Sequence, residues 1–324
     1  MRLSRPFFQL PVLFDVARLQ AEVAALPAEA WVSHPDSVPG NSAARLISAG
    51  GDETDSVHGQ MLPTPWLEGM PYLRQVLAGF GVVWGRSRLM RLAPGAGVPE
   101  HADINYHWHT RVRVHIPVFT SPEVRFHCDG QSVHMAAGEA WIFDNWRRHH
   151  VENKASIARI HLVADTTGTA AFWQFAQGTA PPRDQWRTLA WDPKTSARPL
   201  TEGDQQSPVM PAAEVQLLID DLRSELAVDT DTPDRARAAR FSLLLESFVL
   251  DWRQLCALHG VGGRARPEFL RLAGAVHEAA RPLADGLVMS TNNVSALLVL
   301  EKRVLQHLVA DDIAPRTSRT SGEG

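Results

Sequence analysis

The chain has 324 residues, 44% of them hydrophobic and 21% charged, with a formal net charge of -4. That is the composition of a globular protein long enough for two domains. Without a long basic patch, neither nucleic acid nor an anionic membrane surface is expected as a main partner. The two cysteines, Cys128 and Cys256, stand far apart and outside any CxxC spacing, which excludes a disulfide scaffold and a thiolate metal cage and fits a reducing cytoplasm.

The N-terminal apolar stretch is interrupted by Gln9, Pro11 and Asp15, unlike a signal peptide. No segment reaches the roughly 18 to 20 apolar residues of a membrane span, so a cytoplasmic protein without a membrane partner is expected. Amphipathic spacing predicts a helix from about Asp15 to Leu26 and another from Trp66 to Phe80. Strand patterns then crowd together: VVWGRSRLMRL, TRVRVHIPVF, EVRFHC, SVHMAAGEAWIF and IARIHLVAD, with turns at Pro94-Gly95, Ser121-Pro122, Asp129-Gly130 and Ala137-Gly138. Many short strands at this spacing predict a sandwich or barrel over residues 1–195. A polar, proline-bearing connection follows at 196–211. Residues 212–313 carry four amphipathic helical segments, one opening on Thr232-Pro233, and 314–324 form a polar tail predicted to be disordered. The fold class is therefore mainly β with α, with N-terminal helices and a C-terminal helical domain.

Nine of the 14 histidines fall between His101 and His161. His101 and Asp103 form an H-x-D directly after the turn APGAGVP, and His149 lies in GEAWIFDNWRRHHVEN. Two neutral imidazoles and one carboxylate are the donor set of a facial triad for Fe(II), which leaves coordination positions open for redox chemistry. Zinc is the competing metal, but a hydrolytic zinc site leaves the nearby arginines unexplained. Along the 110–119 strand Val112, Val114, Ile116 and Val118 face one way, and Arg111, Arg113, His115 and Pro117 the other. In SIARIHLVAD, Arg159 and His161 share a face. Such a cationic lining suits the far carboxylate of a dicarboxylic keto acid, because a guanidinium fork binds a carboxylate bidentately. The expected co-substrate is 2-oxoglutarate.

The ordered set PG, H-x-D, R-x-R-x-H, G-E-x-W-x-F-D, H-x-V-x-N and a final R resembles the aspartyl/asparaginyl β-hydroxylase family of Fe(II)/2-oxoglutarate-dependent dioxygenases, and is similar to its bacterial proline-hydroxylase members, over residues 80 to 168. The resemblance implies a double-stranded β-helix, or jelly roll. It implies Fe(II) held by His101, Asp103 and His149, 2-oxoglutarate held by Arg159 with Arg113 and His115, and O2 as oxidant. His149 is preferred to His150 because the family places its second histidine six residues after the Phe of its FD motif, and Phe143, Val151 and Asn153 fit that register. Vertebrate-type members have glycine where this chain has Asp103, and a serine they use near the co-substrate falls on Met90. The implied reaction is hydroxylation of a C–H bond in an amino acid or peptide, with release of succinate and CO2. A homo-oligomer is left open.

Asn105, His107, Trp108 and Arg125 are candidates for the substrate pocket, each weighed against a purely structural role, and Arg111 is expected at the rim. His134, His150 and His161 are assigned to packing or hydrogen bonding. Two rival readings stand beside the oxygenase: a non-catalytic jelly-roll module that binds metal or a small acid as a sensor, and a zinc hydrolase using the same three ligands.

Overall fold

The computed structural model describes residues 1–33, 38–204, 207–227 and 234–310. The predicted tail, the Thr232-Pro233 helix start and residues 205 and 206 of the predicted connection lie outside these. The chain divides into two compact units, Met1–Gln205 and Gln206–Gly324. Among the described residues no helix is long and apolar enough to cross a membrane.

The first unit begins with β1 (Phe7–Phe14), α1 (Val16–Ala24), β2 (Val32–Ser33), β3 (Asn41–Ala49), β4 (Met61–Pro63), α2 (Pro65–Glu68) and α3 (Pro71–Gly79). It continues with β5 (Val83–Leu92), β6 (Gly97–His101), α4 (His107–Thr110), β7 (Val112–Phe119), β8 (Val124–Cys128), β9 (Gln131–Val133) and β10 (Glu139–Phe143). Last come β11 (His149–Asn153), β12 (Arg159–Thr166), α5 (Ala170–Gln177), β13 (Arg187–Leu189) and β14 (Leu200–Thr201). The strands make a large sheet in the order β13-β1-β10-β7-β12-β5-β3-β2, with β14 on β5 and β4 on β3, and a small sheet in the order β6-β11-β8-β9.

One face of the large sheet carries Val112, Val114, Ile116, Val118, Leu162 and Leu89 against Leu19 and Val23 of α1 and Leu73, Val76 and Leu77 of α3. Each such side chain, fully removed from water, contributes on the order of 1.5–3 kcal/mol. The opposite face meets the small sheet through Phe7, Leu92 and Phe143 on one side and Phe126, Cys128 and Val151 on the other. Between these two apolar layers lie the charged side chains described below.

Three sequence expectations change. The helix predicted over 66–80 is two helices, because Pro71 disfavours a helical Met70, whose backbone sits at φ -117, ψ 76, and restarts the helix at its own first turn. The segment SVHMAAGEAWIF is two strands in different sheets, divided at Ala137-Gly138: β9 pairs with β8, while β10 lies between β1 and β7. Gly138 has φ +77, and a Cβ there would stand 2.6 Å from Val16 Cγ2, so the crossing between sheets needs glycine. The predicted connection from 196 to 211 stays on the large sheet through Glu202. There β14 pairs in parallel with Val83 and Trp84, an edge of β5 beyond the pairing of β3, and satisfies its backbone groups.

The second unit contains α6 (Ala212–Ser224), α7 (Asp234–His259), α8 (Arg266–Ala284) and α9 (Ala296–Val299). Trp252 of α7 packs edge-on to Phe248 at 5.6 Å and to Phe269 of α8 at 4.8 Å, and donates its indole N–H to Met210 O. Asn293 has φ +57, and α9 begins behind it at Ala296, where the Ser295 side chain accepts from Leu298 N.

Candidate metal centre

His101 ends β6 and His149 opens β11; these strands are antiparallel, with His101 directly opposite His149. That register brings the two imidazole centroids to 4.2 Å. Asp103 follows in the loop after β6, where its backbone N–H donates to Asn145 O at 2.9 Å, fastening the loop to the turn that leads into β11. One donor atom from each of the three residues falls within 4.8 Å of the others, the only such group among the described residues. The chain therefore brings together the three side chains named from the sequence.

The surroundings leave these donors free. His101 Nδ1 is 2.9 Å from Pro99 O and His149 Nδ1 is 2.9 Å from Arg147 O. A carbonyl only accepts, so each Nδ1 carries a proton, and in the neutral ring the lone pair is then on Nε2. The Nε2 atoms face Asp103, His101 at 3.9 Å from Oδ1 and His149 at 4.0 Å from Oδ2. Burial pushes the His149 imidazole down to about 4, which keeps it neutral. Asp103 Oδ2 is buried with no hydrogen-bond partner. Two oriented imidazoles and an orphaned carboxylate oxygen fit a divalent cation. Phe143 lies edge-on to His149 at 4.8 Å, and Phe126 stacks at 6.2 Å, closing that side with apolar rings.

Arg159, the first residue of β12, is buried and donates through Nη2 to His161 Nδ1 at 2.7 Å. Burial, then the charge of Arg113, push its guanidinium down to about 9; its Nε has no partner, and no carboxylate pairs with it among the described residues. His115 of β7 is buried between Phe126 and Phe143, each ring at 5.4 Å, with neither nitrogen bonded. Desolvation, then Arg159, hold it well below the usual imidazole range.

Arg113 sits beside the triad, between two carboxylates and an indole. Its Nε is 3.5 Å from Asp165 Oδ1, its Nη1 3.8 Å from Asp103 Oδ2, and its guanidinium lies 4.1 Å over the Trp108 ring. Asp165 also meets His107 Nε2 at 3.1 Å. Burial raises the Asp165 carboxyl, but the His107 hydrogen bond and the charges of Arg113 and Arg86 outweigh it and hold the group well below the ordinary carboxylate range.

His107 and Trp108 are thus buried braces for the Arg113–Asp165 pair. Asn105 is exposed, and its carbonyl accepts from Trp108 N at 3.2 Å. Arg125 lies on the outer face of the small sheet, because Val124, Phe126 and Cys128 take the inward positions of β8; it bonds Ser132 at 3.1 Å. Arg111 forms a bidentate pair with Glu202 at 2.9 and 2.8 Å. His150 points outward and stacks on His127 at 4.2 Å.

His161, assigned to packing or hydrogen bonding, bonds Arg159. Sequence reasoning missed two neighbours. Arg86 and Arg88 of β5 join the interior, Arg88 opposite Val163 of β12 and pushed down to about 9 by burial, then by Arg86 and Arg113. The alternating R-x-R in GRSRLMRL carried that signal. The anions that meet them, Asp55 and Asp165, are far away along the chain.

Residues 63–168 match the family model for aspartyl/asparaginyl β-hydroxylase. No curated protein matches the chain. Similar solved structures include a 2OG-Fe(II) oxygenase family oxidoreductase from Burkholderia pseudomallei, at 18% identity over 47% of this chain and 77% of that one, with TM-score 0.35. A prolyl-4-hydroxylase from Pseudomonas putida is 14% identical over 52% of this chain and 95% of that one, also with TM-score 0.35. A predicted oxalate decarboxylase from Thermotoga maritima is 17% identical over 42% and 89%, with TM-score 0.26.

Proposed function

We propose that this chain, whose residues 63–168 belong to the aspartyl/asparaginyl β-hydroxylase family, is an Fe(II)/2-oxoglutarate-dependent hydroxylase built on a jelly roll, acting on an amino acid or peptide. The observation that carries the reading is the convergence of His101, Asp103 and His149 with both Nδ1 atoms tied back and Asp103 Oδ2 unsatisfied. Iron and 2-oxoglutarate would supply O2 activation there, with hydroxylated substrate, succinate and CO2 as products.

The residues of the chain supply geometry and electrostatics. His101 and His149 offer fixed Nε2 donors, Asp103 offers the charge that favours a divalent ion, and Phe126 and Phe143 keep water from one side. Arg159 is a buried cation without an anion, an expensive arrangement that a bound carboxylate repays. On the neighbouring strands the guanidiniums of Arg45, Arg86, Arg88 and Arg113 share the carboxylates of Asp55 and Asp165. That excess of positive charge favours a substrate with its own carboxylate, as an amino acid or acidic peptide has.

Anaerobic addition of Fe(II) and then 2-oxoglutarate should produce a weak visible charge-transfer band, and succinate should form on admitting O2 with the correct amino acid or peptide. Asp103→Ala should remove the band and the iron-dependent turnover while the protein stays folded. Full turnover by that variant would refute the ligand set. Oxygen-independent hydrolysis with zinc, or 2-oxoglutarate binding with no turnover across an amino-acid and peptide panel, would favour the hydrolase or the sensor.

A further inference from the structure

Around Arg159 lies a group of polar atoms that the metal centre does not use. Arg159 Nε, His161 Nε2 and both ring nitrogens of His115 are buried and unbonded. His161 and His115 stand edge to face at 5.8 Å. The register partners of His161 on the adjoining strands are Met90 and Pro117, whose side chains carry no hydrogen-bonding nitrogen or oxygen. Neither register partner can satisfy His161 Nε2, which has no hydrogen-bond partner.

The Arg159–His161 bond fixes the chemistry of the ring. Arginine only donates, so His161 Nδ1 must be the acceptor and the proton must sit on Nε2. His161 is thus held neutral, in one tautomer, with an N–H directed away from Arg159. A neutral donor is the better companion for a buried guanidinium, since a second buried cation would repel it. Desolvation, then Arg159, hold His161 well below the usual imidazole range, in keeping with that state. The same bond restrains the rotation of the guanidinium, which lacks the bidentate carboxylate that normally sets it.

We infer that His161 is a positioning and specificity residue for the co-substrate: it orients Arg159 through Nδ1 and offers Nε2–H to the far carboxylate of a C5 keto dicarboxylic acid. This rests on the 2-oxoglutarate reading above. Leucine at 161 removes both contacts. Asparagine places an oxygen near the position of Nδ1 and restores the hold on Arg159 alone.

The test is calorimetric titration of the full-length Mn(II)-loaded protein, which binds without turnover. Wild type should bind 2-oxoglutarate much more tightly than 2-oxobutanoate, which lacks the far carboxylate. His161→Leu should weaken 2-oxoglutarate about tenfold or more, the loss of one charge-assisted contact, and leave 2-oxobutanoate nearly unchanged. His161→Asn should recover part of the loss. The melting temperature of ligand-free His161→Leu should not fall, while the upward shift caused by 2-oxoglutarate should shrink. Wild type that binds no 2-oxoglutarate would overturn the co-substrate reading together with this one. Wild type that binds it, beside His161→Leu and His161→Asn with unaltered affinity, would overturn the role of His161 alone. Should His161→Leu fail to fold, the asparagine variant decides by itself: unchanged selectivity between the two acids refutes the assignment.

Discussion

Two buried arginines, one in each unit, show opposite solutions to the same problem. Arg303 in the helical unit meets Asp221 at 2.8 Å, so its charge is balanced within the fold. Arg159 in the β unit has a histidine in place of a carboxylate. A cation balanced internally serves the fold, whereas one left unbalanced stores a cost that only an incoming anion relieves.

Substitution at each arginine sharpens that contrast. Arg303→Met breaks the buried pair with Asp221 and should lower the stability of the helical unit by about 3 kcal/mol, at the low end of the range for such a loss since Asp221 is partly exposed. Chemical denaturation followed by helical circular dichroism measures it. Arg159→Met removes an unbalanced charge and should leave the ligand-free midpoint unchanged or higher, while weakening 2-oxoglutarate about 100-fold in a Mn(II) titration, or roughly 2.7 kcal/mol. A large stability loss in Arg159→Met would break the contrast.

Asp165→Asn tests the intermediate case, a carboxylate serving both Arg113 and His107. It should cost about 2 kcal/mol at neutral pH. The folded-state pKa of Asp165 lies below its unfolded value, so its contribution is complete above the ordinary carboxylate pKa and is lost as pH falls below it. The variant should therefore lose less stability on acidification than wild type, measured by melts between pH 7 and pH 3. The smallest effect belongs to Arg125→Ala on the outer face of β8, which should change both stability and 2-oxoglutarate affinity by no more than about 0.5 kcal/mol.

What could be read from the sequence follows from range. Alternation along 111–118 gave the inward and outward faces of β7 directly, because the strand period is local. The H-x-D after a glycine turn and the second histidine at family spacing named three donors that lie together in the structure. Alternation also held Arg159 and His161 on one face, but whether a histidine packs or bonds depends on what stands across the sheet. For His161 that is Met90 and Pro117. The pairing of Arg113 with Asp165, the bracing by His107 and the convergence of Arg45 and Arg88 on Asp55 are contacts between distant segments, and no local pattern encodes them. Arg125 was misplaced for a simpler reason: both parities of EVRFHC carry plausible pocket residues, and the aromatic Phe126 won the interior.

β11 carries consecutive histidines, one on each side of the small sheet. The inner one joins Asp103 and His101; the outer one lies flat on His127, 4° from parallel. Sliding β11 by a single position would exchange their environments without altering any amino acid. Ladder alignment with β6 and β8, more than the identity of residue 149, thus decides which imidazole joins Asp103 and His101, and an insertion in the connection before β11, where Asp144, Asn145 and Trp146 are buried, should disrupt that alignment.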